Sequence, residues 1–453
     1  MDAAPAHSVA ELQTLRQFLL GLAEGMIAAN ESVDEIHDLL VRISRAYGVP
    51  ETDFVVLPTV ILVQTGGVTQ GRVAIRSRVS STFRFDQIAE LYDLLHEAER
   101  AGVEPEDGIR RLNAIGAMRS RFGWVVRTLG HALVTAGLSL MLVPTWQGAL
   151  LAFLLGLLIG LAKLIRSPTL QLIFPTFAAF VCALAVFLLA EQIGIGDPLR
   201  LLIAPLATFL PGGTLTTATV ELASGNMISG ASRLVTGVVQ LALLAFGIIA
   251  AGTVVGVGEA GYMTQPDDAS LPWWVSLAGV GLFAVGVYLH FSSPAATFGW
   301  VLVAILVAFG GQLVGAALAG PTLSGFLGAV AMTPAVLAIA ALPRGAPSQI
   351  TFLPAFWLLV PGASGLISLT EAAGAGAGLY GFATAMTTVM SIAIGILIGT
   401  ALYRVVRDSA KEIETFAVAL PETIARAAPL PLWSRMFPGR SRRRPPSGGE
   451  PTA

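Results

Sequence analysis

The sequence predicts a polytopic α-helical membrane protein, with two five-helix halves inverted relative to one another behind a small α+β domain. Three observations carry this expectation. The composition is 54% hydrophobic and only 12% charged, with a mean hydropathy of +0.74, whereas a soluble domain carries about 25% charged residues. The charges crowd into residues 1–122 and 404–453 and leave long apolar runs between them. Within that apolar part, a proline–glycine–glutamate pattern recurs at a fixed distance.

Residues 1–122 read as the α+β domain. Leu12, Leu15, Phe18, Leu19 and Leu22 fall on one helical face, Ala28–Asn30 interrupts, and Ile36, Leu39, Leu40 and Ile43 resume until Gly48–Pro50 stops the second helix. Phe54–Val63 reads as one β-branched strand, with Val73–Arg78 its partner after a Gly66–Gly67 turn. Phe85–Ala101 and Pro105–Met118 return to helix, the second with Glu104–Asp107 acidic at its start, as the helix dipole favours. His7, His37 and His96 lack metal-ligand spacing, and the lone Cys182 lies in an apolar run, so no metal or cofactor is implied. The first thirty residues contain Asp2, Glu11, Arg16 and Glu24 without an apolar core and cleavage site, so this domain is expected to stay in the cytoplasm.

From Phe122 onward, ten segments approach the about 20 apolar residues that a bilayer core requires. They lie near 123–143, 147–165, 170–190, 200–221, 232–256, 271–291, 297–316, 321–341, 350–371 and 380–403. Arg119, Arg121 and Arg127 flank the first, Lys163 and Arg166 follow the second, Arg233 the fourth, Arg344 the eighth, and Arg404 and Arg407 the tenth. The intervening loop 257–270 carries Glu259, Asp267 and Asp268 and no Lys or Arg. Positive charge marks the cytoplasmic side, which places both termini there. The halves are then 123–256 and 271–403. Residues 404–453 form a basic tail with Arg440 and Arg442–Arg444, either solvated or against anionic lipid heads.

The repeat falls in the fourth segment of each half. Pro211-Gly212-Gly213-Thr214 is followed ten residues after its proline by Glu221, and Pro361-Gly362-Ala363-Ser364 likewise by Glu371, 150 residues further on. Pro205 and Pro354 precede the two copies, and Pro168-Thr169-Leu170 corresponds to Pro321-Thr322-Leu323. Five helices are an odd number, so the second half enters the membrane from the opposite side, an inverted repeat suited to alternating access. Proline removes a backbone donor and glycine permits non-helical backbone, so segments four and nine are expected to break near mid-membrane. Such a break is tolerated there only against protein or a water-filled cavity.

Chemistry follows from that placement. Thr214, Thr217 and Glu221 share one helical face, as do Ser364, Ser368 and Glu371. These hydroxyls either line a path for a small polar solute or bond helix backbone. Glutamates in membrane segments are rare without a role. Glu221 and Glu371 are candidates for proton coupling or charge pairing, Glu221 with Arg233, and His131 is the further titratable candidate. Gly362-Ala363-Ser364-Gly365 fits the GxSG pattern of intramembrane serine hydrolases, but no histidine follows His290 to act as base, and no nucleotide-binding loop appears. The chain is therefore expected to be a transporter and not an enzyme.

The run from Pro211-Gly-Gly-Thr through Glu221, Asn226 and Arg233 to Leu234 resembles the signature of the threonine/serine exporter family, and Leu19–Ala29 leading into Val33–Gly48 fits as well. The resemblance spans about residues 10–410 and corresponds to the fused form, in which a cytoplasmic domain precedes ten transmembrane segments. It implies proton-motive-force-driven export of threonine and serine, with dicarboxylates such as succinate as the alternative cargo. Pro211, Gly212, Gly213, Glu221, Asn226 and Arg233 are its motif positions. The expected partners are the solute, protons and the lipid bilayer, with no nucleic acid; a homo-oligomer stays open.

Overall fold

In the computed structural model, residues 8–65, 72–77, 82–143, 145–165, 168–195, 197–263, 271–359, 361–374 and 379–419 are described. The N-terminal domain opens with α1 (Val9–Ala28), started by a capping box: the Ser8 hydroxyl accepts from Glu11 N–H, and the Glu11 carboxylate accepts from Ser8 N–H. Its apolar stripe, Leu15, Phe18, Leu19 and Leu22, is buried, and so is that of α2 (Val33–Ala46) at Ile36, Leu39, Leu40 and Ile43.

Three antiparallel strands follow in the order β1 (Thr52–Leu57), β2 (Val60–Thr65), β3 (Arg72–Ser77). The single strand expected over 54–63 is thus a hairpin. Pro58 cannot donate to a ladder, so the chain turns at Pro58–Thr59 and pairs Phe54 with Val63. Phe54, Ile61 and Val63 are buried under α1 and α2. The expected Gly66–Gly67 turn lies outside the described residues. Helices α3 (Phe85–Ala98) and α4 (Pro105–Ala117) complete the domain.

The apolar part consists of α5 (Trp124–Leu142), α6 (Trp146–Ala162), α7 (Pro168–Ile193), α8 (Pro198–Leu206) with the 3-10 turn Ala207–Phe209, α9 (Gly212–Ala223), α10 (Met227–Val255), α11 (Trp273–His290), α12 (Phe298–Ala319), α13 (Pro321–Ala340), α14 (Ser348–Leu359), α15 (Pro361–Gly374) and α16 (Leu379–Ala419). Each of the ten expected segments contains helix. Among the described residues, seven helices are long and apolar enough to cross a membrane, eight when α8 and α9 count as one bent span. Helix α6, with 17 residues, is about 26 Å long at 1.5 Å per residue and falls just short. Its Leu150, Leu154, Leu158 and Leu161 form an exposed stripe at helical spacing, which only lipid solvates well. Residues from Arg404 onward form a separate unit.

Glycine sets the closest helix contacts. A Cβ on Gly137 of α5 would lie 2.5 Å from Phe283 N of α11, and one on Gly286 of α11 would lie 2.4 Å from Val134 N of α5. Lipid tails are as apolar as leucine, so helices in a bilayer associate through such close packing. The same device joins α7 to α10, where a Cβ on Gly247 would come within 2.4 Å of Thr176 O. It recurs between α13 and α16, where a Cβ on Gly395 would lie 2.6 Å from Phe326 O.

Candidate functional site

Segment four is broken. Pro198–Phe209 and Gly212–Ala223 meet at 70°. Leu210 has extended backbone (φ −66°, ψ 127°) and Pro211 caps α9, so the helix ends at the 3-10 turn and restarts two residues later. One carbonyl freed by the break, Phe209 O, accepts from Gln240 Nε2 of α10 at 2.8 Å. In segment nine α14 ends at Leu359 and α15 begins at Pro361, and the expected break between them falls outside the described residues. Segments four and nine pack together, α9 against α14 and α15, and α8 against α15. Gly213 sits between them: a Cβ there would lie 3.9 Å from Phe356 of α14 and 3.8 Å from the Asn30 side-chain nitrogen of the N-terminal domain.

The hydroxyls along α9 divide. Thr219 bonds back to Leu215 O at 3.0 Å, as a structural threonine does. Thr214 and Thr217 are half-buried and hydrogen-bond no described residue, leaving both hydroxyls available beside the break. Ser368 is buried in α15. The side chains of Pro361, Gly362 and Ser364 lie outside the described residues.

A polar cluster abuts the 3-10 turn. His131 of α5 is fully buried; its Nδ1 faces Gly156 O at 2.9 Å, and its Nε2 lies 3.2 Å from both Thr208 Oγ1 and Lys163 Nζ. A carbonyl only accepts, so Nδ1 carries the proton and Nε2 is an acceptor. Lys163 Nζ also donates to Thr208 Oγ1 at 2.6 Å and lies 4.7 Å from the Phe209 ring centre, within cation–π range. His290 of α11 packs edge-on against His131 at 4.9 Å, with its Nδ1 2.9 Å from Arg127 O.

The motif residues beyond the break build a clasp on the N-terminal domain. Glu221, at the end of α9, is 0% exposed. Its Oε1 accepts from Val33 N–H, the first amide of α2, at 3.2 Å, where the helix dipole favours negative charge. Oε2 lies 3.2 Å from Arg233 Nε, a charge contact without aligned hydrogen-bond geometry. Asn226 Nδ2 donates to Asp34 Oδ1 next door. The expected Glu221–Arg233 pair thus exists, with the carboxylate sealed under the N-terminal domain.

The loop ahead of Val33 enters the same region. Asn30 is left-handed (φ 66°), a conformation asparagine tolerates better than most residues. Glu31 is buried, accepts from the Tyr92 hydroxyl, and stands beside Ser348 and Gln349 at the start of α14. Burial pushes its carboxyl up to about 7, against the opposing hydrogen bonds from Tyr92 and Gln349. Phe85 adds a third contact: its N–H donates to Phe291 O at 3.1 Å, and its ring stacks on Phe291 and near Trp357.

The structure therefore brings His131 to the break and gathers Glu221, Asn226 and Arg233 at the domain clasp. Glu371 belongs to neither group. It is half-buried and lies three residues before Gly374, which packs on Tyr262 of the 3-10 turn after α10. Sequence reasoning missed Lys163, Thr208, His290, Asn30 and Glu31. Lys163 was read as a topology charge. A finer signal existed: of 27 Lys and Arg, only Lys163 and Lys411 are lysine.

The family described as "Putative threonine/serine exporter" matches residues 17–255, which takes in the N-terminal domain, the break and the clasp. An uncharacterized protein of Schizosaccharomyces pombe is 25% identical over 56% of this chain and 31% of its own length. Pheromone-regulated membrane protein 10 of Eremothecium gossypii is 22% identical over 62% of this chain and 39% of its own length. The alignments thus span well under half of these curated relatives. No solved structure matches. With a family match over more than half its residues, on a helical membrane architecture, the chain belongs to the threonine/serine exporter family.

Proposed function

We propose that this protein is a proton-motive-force-driven secondary exporter of threonine and serine across the cytoplasmic membrane. The observation that carries the reading is the 70° break in segment four, packed against segment nine, with unbonded Thr214 and Thr217 hydroxyls beside it. A broken helix at a repeat interface is how secondary transporters present backbone and side-chain polar groups to a solute.

In this reading the halves are 123–256 and 271–403, inverted about an axis in the membrane plane. Equivalent contacts support it. The second and fourth elements meet in both halves (α6 with α8, α12 with α14). The third and fifth meet through glycines of the fifth, Gly247 in one half and Gly395 in the other. The first helices, α5 and α11, pair with each other through glycine on both sides. Residues 1–122 are the cytoplasmic domain, which closes the inner end by setting Asn30 beside Gly213. Glu221 and Arg233 then hold that closure, and His131 is the titratable group placed to couple protons at the break.

The test is efflux of labelled threonine from proteoliposomes containing the full chain, with and without an imposed pH gradient. Gradient-dependent efflux supports the reading. Equal efflux in both conditions makes the protein a passive channel, and movement of succinate without threonine reassigns the cargo.

A further inference from the structure

Lys163 is a cation without a carboxylate partner among the described residues. The ion pairs among the described residues do not include it, and it lies beside a fully buried histidine. A partly desolvated ammonium costs free energy unless an anion or several acceptors compensate it. Its neighbours do so incompletely. Of its three N–H donors, one goes to Thr208 Oγ1 and one to the His131 Nε2 lone pair. For the third, the described residues supply no hydrogen-bond acceptor, and the Phe209 ring lies 4.7 Å from the ammonium. The remaining groups around it are cationic or neutral: His131 on α5, His290 on α11, with Arg127 one turn before His131. No described residue in the cluster supplies negative charge.

Its location adds the second half of the argument. Lys163 caps α6, yet its side chain reaches Thr208 in the 3-10 turn at which segment four breaks. The ammonium is thereby pinned at the place where the bound solute would sit. His131 fixes its direction: the imidazole is held by Gly156 O and presents only a lone pair to Lys163.

We propose that Lys163 and Thr208 bind the carboxylate of the transported solute, the ammonium donating its free N–H to a carboxylate oxygen. The inference rests on the exporter reading for its location and adds the recognition chemistry: cargo must carry a carboxylate. Hydroxyls at Thr214 and Thr217 then serve the polar remainder of the solute. Lysine suits this task because a compact ammonium can be shared between an internal acceptor and a ligand oxygen.

The experiment uses the full chain in lipid nanodiscs and measures binding of labelled threonine, competed by threonine, by threoninol (the carboxylate reduced to an alcohol) and by succinate. A charge-assisted hydrogen bond of about 1.5–3 kcal/mol corresponds to about a tenfold to hundredfold change in affinity. Threoninol is expected to compete that much more weakly than threonine against the unaltered protein, a comparison that needs no variant to fold. Lys163→Met should weaken threonine by the same factor and erase the threonine–threoninol difference, while Lys163→Arg should restore part of it. If threoninol competes as well as threonine, or Lys163→Met binds threonine unchanged, the carboxylate site is overturned and the exporter reading stands. If only succinate binds and Lys163→Met abolishes it, the site stands and the amino-acid reading falls. If neither threonine nor succinate binds the unaltered protein, both fall.

Discussion

Arg233→Ala tests whether the clasp holds the N-terminal domain onto the helices. Glu221 is 0% exposed, and its neighbours are the Arg233 guanidinium at 3.2 Å and Val33 N–H at 3.2 Å. Removing one partner of a buried ion pair costs about 3–5 kcal/mol, because the other charge is left uncompensated. The Val33 hydrogen bond and the α2 dipole persist in the variant, so the lower end, about 3 kcal/mol, is expected. Undocking exposes Glu221 to water and relieves that cost. The docking equilibrium should therefore shift by about a hundredfold, at 1.4 kcal/mol per tenfold. Hydrogen exchange on full-length protein in nanodiscs reads this directly: amides of Val33–Ile36 should exchange about a hundredfold faster. Ile61 and Val63 lie in the domain's own sheet and should be unaffected. Unchanged exchange at Val33 in a folded Arg233→Ala protein would refute the reasoning and leave the ion pair energetically idle.

Glu31 gives the clasp a pH dependence of definite sign. Its carboxyl, pushed up to about 7 by burial, binds a proton more tightly when docked than when solvated. The stabilisation is complete below the ordinary carboxylate range and is lost as pH rises to about 7. Docking followed by the same exchange experiment should weaken over that window, and Glu31→Gln should make it flat. Gly137→Ala puts a Cβ 2.5 Å from Phe283 N; forcing α5 from α11 costs about 1–3 kcal/mol, and the melting temperature in detergent should fall, with an unchanged value counting against that contact. Thr214→Val with Thr217→Val removes two hydroxyls that bond no described residue. Thermal stability should stay within about 0.5 kcal/mol while the KM for threonine efflux rises; a loss of stability with unchanged KM would make them structural.

Much of the helix layer was legible because lipid imposes a one-dimensional rule: about 20 apolar residues per crossing. Helix occurs in every segment expected on that basis, and segment four breaks at Leu210–Pro211, where proline's missing donor says it should, while Gly212 and Gly213 already open helix α9. The β region was less legible. A continuous apolar run over 54–63 carries no sign of its own turn except Pro58, and the hairpin emerges because its two arms find each other. Glu221 and Arg233 could be paired from spacing alone, since both lie near one end of neighbouring helices.

Local spacing says nothing about contacts between residues far apart in the chain. Val33 and Glu221 are 188 positions apart, Tyr92 and Ser348 are 256 apart, and Lys163 meets Thr208 across 45. The sequence by itself determined a membrane-embedded helical chain, the break in segment four and the residue types at it, because solvent and backbone chemistry act on each segment separately. Only the tertiary structure decided that Glu221 serves the domain clasp, that Asn30 reaches Gly213, and that a lysine at the end of segment two stands at the break in segment four. Those pairings depend on how whole helices dock, and docking is set by the summed packing of many small contacts that no short stretch of sequence contains.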